Sequence, residues 1–119
     1  MIFWVYGQTG AGKTTYVQDV AGDNDIILDG DEMRLVWPGL GYSLEDRMVQ
    51  HQRIARLAVL LDSQRDFSGG SVLVATIMPT TEIFNAVKEI VPDTTLFKYI
   101  PGGLKPDADH PFENYKERE

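Results

Sequence analysis

Cysteine is absent from this chain, so no disulfide staples it and no thiolate holds a metal. A reducing compartment, the cytoplasm, is the expectation that follows. Positive charge is also short: 11 Lys and Arg stand against 18 Asp and Glu, a net charge of −7. That balance argues against a large basic face for gripping duplex phosphates. Histidine occurs only at His51 and His110, isolated from each other, and neither is given a metal role. No apolar run approaches the roughly 18 residues of a membrane helix, so no membrane partner is expected. The first apolar run begins at Ile2 without a basic leader and does not read as a signal peptide. What remains is one soluble globular domain over residues 1–119, with a coil-rich C-terminal segment at 101–119 where Gly102, Gly103, Pro106 and Pro111 oppose regular structure.

Near the N-terminus the chain spells Gly7-Gln8-Thr9-Gly10-Ala11-Gly12-Lys13-Thr14, a complete G-x-x-x-x-G-K-[ST] phosphate-binding loop. Its context fits. The apolar, β-branched and aromatic run Ile2–Tyr6 reads as a buried strand, and residues 13–21 read as a helix. Glycines let the loop turn its amides toward an anion, and the helix N-terminus adds its positive dipole end. Gly7, Gln8, Thr9, Gly10, Ala11, Gly12, Lys13, Thr14 and Thr15 are therefore the expected nucleotide-binding residues. Lys13 is expected to reach the β- and γ-phosphates of ATP and the Thr14 hydroxyl to ligate Mg²⁺.

Strand and helix alternate along the rest of the chain. A short strand over 26–29 precedes a loop containing Trp37-Pro38-Gly39 and Gly41. Ser43 caps a long helix, with Asp46 placed as in a capping box. Leu44, Met48, His51, Ala55, Ala58 and Leu61 form its apolar stripe, with His51 packed and hydrogen-bonded rather than catalytic. A continuous apolar strand over 71–78, a helix opened by Pro79-Thr80-Thr81-Glu82, and a last strand over 95–100 follow. Strands apolar on both faces that alternate with helices imply a parallel sheet of about four strands covered on both sides. Their C-terminal ends then share one edge, which gathers the phosphate loop, Asp29, Asp31 and Met78-Pro79. Arg34, Arg47, Arg53 and Arg56 remain free to line one cleft there, Arg53 and Arg56 being three apart on a helix with one directed toward the site. Trp37 reads as loop packing more than as a stacking platform for a base.

A second cluster, Leu28-Asp29-Gly30-Asp31-Glu32-Met33-Arg34, closes the 26–29 strand. Phosphoryl transfer to an alcohol needs a carboxylate to orient and deprotonate the hydroxyl and a cation to hold charge. Asp31 and Arg34 fit those two roles, which with Lys13 makes three catalytic candidates. Asp29 is placed to help hold Mg²⁺ through water.

The Gly7–Thr14 loop, Leu28-Asp29-Gly30-Asp31-x-x-Arg34, Gly41-Tyr42-Ser43-x-x-Asp46-Arg47 and Arg53-Ile54 together resemble adenylylsulfate kinase. Ala75-Thr76-Ile77-Met78-Pro79 and Asp109-His110-Pro111-Phe112-Glu113 continue the likeness, which spans roughly residues 2–113. The resemblance implies a P-loop kinase-like three-layer α/β sandwich that moves the γ-phosphate of ATP to a hydroxyl of a nucleotide-like acceptor. It implies that Asp29, Asp31, Arg34, Tyr42, Arg47, Gln50 and Ile77 face that acceptor, Tyr42 stacking on its base and Ile77 lying under the same ring. The chain departs from the family at Gln50, where the family has Asn, at Gln52, where it has Arg, and at Met78, where it has Ser. The family's basic lid is missing as well, since Ile100 runs almost directly to Asp109. Lys105 reads as a solvated charge, with partial replacement of the lid as its alternative role. An open site admits a bulky acceptor, so a hydroxyl carried by DNA, RNA or a modified nucleotide is the alternative, as in polynucleotide kinases or viral hydroxymethyluracil-DNA kinases. A nucleotide-binding domain without turnover is the alternative of another class.

Overall fold

Alternation along the first strand decides how the sheet is covered. In β1 (Ile2–Tyr6), Ile2, Trp4 and Tyr6 join one apolar cluster, while Phe3 and Val5 join the other. A computed structural model describes residues 1–65 and 69–113, without the side chain of Arg65; the coil expected over 114–119 lies outside the described residues. The remaining elements are α1 (Lys13–Val20), β2 (Ile26–Asp29), α2 (Gly30–Val36), α3 (Leu44–Arg65), β3 (Val72–Thr76), α4 (Thr81–Ile90) and β4 (Leu96–Tyr99).

The strands run in the order β2-β3-β1-β4 and every pairing is parallel, as expected. The larger cluster lies under α3 and α4. There Trp4, Tyr6, Ile54, Ile83, Phe84 and Val87 are almost wholly buried. Phe84 is central: its ring lies 5.5 Å from Tyr6 and 4.9 Å from Phe97, edge-on to the latter. The smaller cluster, Val5, Val17, Leu73 and Ala75, takes Val17 from α1. Two buried faces make a three-layer α/β sandwich, the fold class expected. The chain leaves β1 for β2 and leaves β3 for β4 in opposite directions across the sheet. The crevice between those two exits, at the strands' C-terminal ends, is where such sheets hold ligands.

Four details differ from the sequence reading. Residues 30–36 form a helix, α2, rather than loop. Asp29 caps it by accepting from the Asp31 amide at 2.9 Å, and Asp31 and Glu32 at its start with Arg34 at its end suit the helix dipole. The strand expected over 71–78 ends at Thr76, because Met78 adopts φ 52, outside the extended region. Leu44 is 47% exposed, so the buried stripe of α3 begins further along the helix. The Ser43 cap holds, its hydroxyl accepting from the Asp46 amide at 3.1 Å, but the Asp46 carboxylate turns to the Gly41 amide at 2.8 Å instead of closing a reciprocal box. Trp37 packs against the main cluster, as read. The described part of the terminal segment, 101–113, contains neither helix nor strand.

Phe84→Ala deletes a fully buried ring at the meeting of β1, β4 and α4. It is expected to cost about 3–5 kcal/mol of stability, measured by urea unfolding of the purified chain.

Candidate active site

The phosphate loop is shaped by glycine where the backbone demands it. Gly10 and Gly12 take φ 81 and 96, values an L side chain rarely adopts. The Ala11 amide returns to the Gln8 carbonyl at 3.1 Å, which closes the turn. Beyond it α1 begins at Lys13, and by helix geometry the first-turn amides have no acceptor within the helix. They are donors for an anion.

A cavity of about 750 Å³ opens at this point, within the range of small-molecule sites. Thr9, Gly10, Gly12, Lys13, Thr14 and Thr15 line its loop side. Gly7, Gln8 and Ala11, expected beside them, do not line it. A Cβ at Gly7 would collide with the Ile100 carbonyl, so that glycine serves the close approach of β4's end. The opposite side of the same cavity carries Asp29, Asp31, Arg34, Tyr42, Arg47, Gln50 and Ile77, so every acceptor-side expectation falls in one place.

Asp29 joins the two sides. Its Oδ2 accepts from the Thr14 hydroxyl at 2.6 Å while its Oδ1 caps α2. Two hard oxygen donors beside the phosphate loop match the chemistry Mg²⁺ takes, since that ion keeps waters and phosphate oxygens for its other positions. No cluster of three or more metal-ligating side chains exists among the described residues, so any ion here depends on the ligand's oxygens. Lys13 donates to the Gln8 carbonyl at 3.0 Å. Burial draws the Lys13 ammonium below its ordinary value, opposed by Asp31 and then Asp29.

The two guanidinium groups that line the cavity are partly engaged. Arg34 donates to the Gly41 carbonyl at 3.0 Å and lies 4.2 Å over the Tyr42 ring, which is 70% exposed. Arg47 donates to the Tyr42 carbonyl at 2.7 Å and to the Asp109 carbonyl at 3.3 Å. Burial, and after it Arg34, lowers the Arg47 value, Tyr42 opposing. These two arginines fix the loop that carries Tyr42. Gln50 differs: it is 3% exposed, and neither of its amide atoms has a hydrogen-bond partner among the described residues. A buried amide of that kind is costly unless something arrives to satisfy it.

Arg53 and Arg56 do not reach this cavity. They border a separate shallow groove with Trp37, Leu57 and Leu60, which corrects the expectation of one arginine-lined cleft. Met78 lies just past the C-terminal end of β3, as expected, but is fully buried and does not line the cavity, and Lys105 is exposed and outside it. His51 is packed, as read. Its Nδ1 meets the Arg47 carbonyl at 2.7 Å and its Nε2 accepts from the Met78 amide at 3.2 Å, the pattern of a neutral ring protonated at Nδ1. His51 thereby steadies both Arg47 and the turn after Ile77, a role visible in sequence only as the i, i+4 spacing from Arg47. Ala108, Asp109 and His110 also line the cavity and were not among the expected site residues. Their signal was the Asp109–Glu113 match, which gave no role.

The family model described as adenylylsulphate kinase matches residues 1–102. The adenylyl-sulfate kinase of Paraburkholderia xenovorans is 35% identical over 97 residues, covering 76% of this chain and 52% of that one. That of Pseudomonas aeruginosa is 35% identical over 98 residues, covering 76% and 47%. The chain thus spans about half the length of the curated relatives it matches. Among solved structures, the Mycobacterium tuberculosis APS kinase in complex with AMPPNP and APS superposes with a TM-score of 0.69 at 24% identity, over 87% of this chain and 63% of that one. At that identity the likeness bears on the fold, and it agrees with the sandwich described above.

The lowered Lys13 value has a consequence for anion binding. A bound triphosphate favours the charged ammonium, so binding draws a proton wherever the free chain has lost it. Nucleotide affinity is expected to be flat below the Lys13 value of the free chain and to fall above it by at most about tenfold per pH unit. Lys13→Arg, whose guanidinium stays charged, removes that fall. Calorimetric titration of AMPPNP across the alkaline range checks both.

Proposed function

The chain belongs to the adenylylsulphate kinase family, and we propose that it transfers the γ-phosphoryl group of Mg-ATP to a hydroxyl of adenylylsulfate or a closely similar nucleotide. The observation that carries this reading is the single cavity in which the phosphate loop faces Asp31, Arg34, Arg47 and Gln50. A phosphate-binding module without an acceptor has no use for that second wall.

The loop amides and the α1 N-terminus take the phosphates, and Lys13 leaves the Gln8 carbonyl for the β- and γ-oxygens. Thr14 and Asp29 would hold Mg²⁺, which would supply charge neutralisation to the phosphates. Asp31 orients the acceptor hydroxyl and takes its proton as the new O–P bond forms. The bond from the γ-phosphorus to the bridging oxygen breaks, and ADP leaves with the electron pair. Arg34 and Arg47 are cations suited to an acceptor's anionic groups, and the unsatisfied Gln50 amide supports an acceptor bearing both donor and acceptor groups. The net charge of −7 weighs against an extended nucleic-acid acceptor.

Labelled phosphate from ATP offered in parallel to adenylylsulfate, free nucleosides and DNA tests the acceptor. Label on adenylylsulfate is expected; label on DNA with adenylylsulfate inert overturns this reading in favour of a nucleic-acid kinase. Asp31→Asn is expected to lower turnover by about a hundredfold or more with AMPPNP binding retained.

A further inference from the structure

Gln8 is part of the phosphate-loop motif, yet its side chain takes no part in lining the cavity. It is 3% exposed, and both ends of its amide are engaged. Oε1 accepts from the Thr9 amide at 2.9 Å and Nε2 donates to the His110 carbonyl at 2.8 Å. His110 belongs to the segment that walls the acceptor side, and its neighbour Asp109 accepts from Arg47. The same loop holds this segment at a second point, where the Leu104 amide donates to the Thr9 carbonyl at 2.9 Å. From its other end the segment is tied down by the Glu113 amide on the Pro79 carbonyl at 2.8 Å and by the Phe112 ring against Tyr99. Asp107 shapes the bend between, accepting from the Asp109 and His110 amides at 2.9 and 2.7 Å.

We propose that Gln8 is a positioning residue that sets the acceptor wall from the phosphate loop, so that nucleotide and acceptor bind cooperatively. The Gln8 peptide carries the link. Its carbonyl accepts from Lys13 at 3.0 Å and from the Ala11 amide at 3.1 Å, so a triphosphate that draws Lys13 away changes the load on the peptide whose side chain holds His110. A loop ordered around phosphates also fixes the Thr9 carbonyl for Leu104. Two-site coupling of this kind is reciprocal: adenylylsulfate must tighten nucleotide binding by the same factor.

This inference rests on the kinase reading of the cavity, and its test separates the two. Adenylylsulfate affinity is measured by calorimetry with and without AMPPNP, alongside amide exchange over residues 104–113. In the unaltered chain AMPPNP is expected to tighten adenylylsulfate about fivefold or more and to slow exchange in the segment. Gln8→Leu abolishes both effects and raises the adenylylsulfate KM about tenfold, the scale of one hydrogen bond and a larger change than in kcat. Gln8→Glu keeps an oxygen for the Thr9 amide but opposes a carboxylate to the His110 carbonyl, so it reproduces the loss in a chain that retains the loop turn. A merely structural glutamine lowers the melting temperature without touching the coupling factor. Unchanged coupling and exchange in the Glu variant overturn the proposal. Should adenylylsulfate fail to bind even the unaltered chain, the acceptor reading falls, and the exchange response to AMPPNP alone decides the role of Gln8.

Discussion

Asp29 uses both carboxylate oxygens, one on the Thr14 hydroxyl and one on the Asp31 amide. Through those two bonds the first turn of α1 and the first turn of α2 share an anchor. The anchor is itself set by the sheet, because Asp29 pairs with Ala75 at the end of β2. Residues far apart in sequence therefore meet in a fixed relation: a phosphate-facing helix start on one side and Asp31 on the other. Asp29 is 8% exposed, so its two bonds are made where competing water is scarce and count for more than on the surface. Asp31 inherits its position from this arrangement, since a residue in the first turn of a capped helix has little freedom of its own.

Tertiary support around Arg34 and Arg47 comes from polar contacts that carry information about the fold. Arg34 and Arg47 each donate to carbonyls of the 40–42 stretch, and Trp4 donates to Thr76 at 2.9 Å, linking a fully buried core side chain to the strand end at the cavity. His51 adds the Met78 amide to that set, compensating a residue that holds φ 52 while fully buried. A non-glycine backbone in the left-handed region costs on the order of 1 kcal/mol or more, and here the histidine acceptor is among the contacts that keep it. The floor of the cavity and the arginine on its wall thus answer to one imidazole.

The phosphate loop and the alternation of strand and helix were legible because each is a local pattern: a glycine spacing, an apolar run, a cap. The parallel sheet followed from strands apolar on both faces. Helix α2 was not legible. Its start combines Gly30 with acidic residues, a composition that also describes a turn, and only the Asp29 cap distinguishes the two. The direction of Arg53 and Arg56 was misread for a related reason. Spacing places them on a common side of α3 but does not say which neighbour that side meets, and the answer depends on where Trp37 packs. Gln8 shows the reverse limit. A motif identifies the loop and says nothing of which side chains turn from the ligand to hold the rest of the chain.

The 101–113 segment shows how a stretch without regular structure can still be specified. Gly102 and Gly103 take φ 98 and 82, and a Cβ at Gly103 would collide with the Thr9 carbonyl and crowd the Ala11 amide at 3.0 Å. In sequence these glycines register only as breakers of helix and strand. In the fold they let the backbone lie directly against the phosphate loop, close enough for Leu104 to donate to Thr9. A segment this short cannot fold over a substrate as a helical lid does. It reaches the cavity instead by running from β4 across the loop to His110, fixed to the loop at Thr9 and Gln8. There Ala108, Asp109 and His110 form part of the cavity wall. Two hydrogen bonds to the phosphate loop hold that wall, one from the Leu104 amide to the Thr9 carbonyl and one from the Gln8 side chain to the His110 carbonyl.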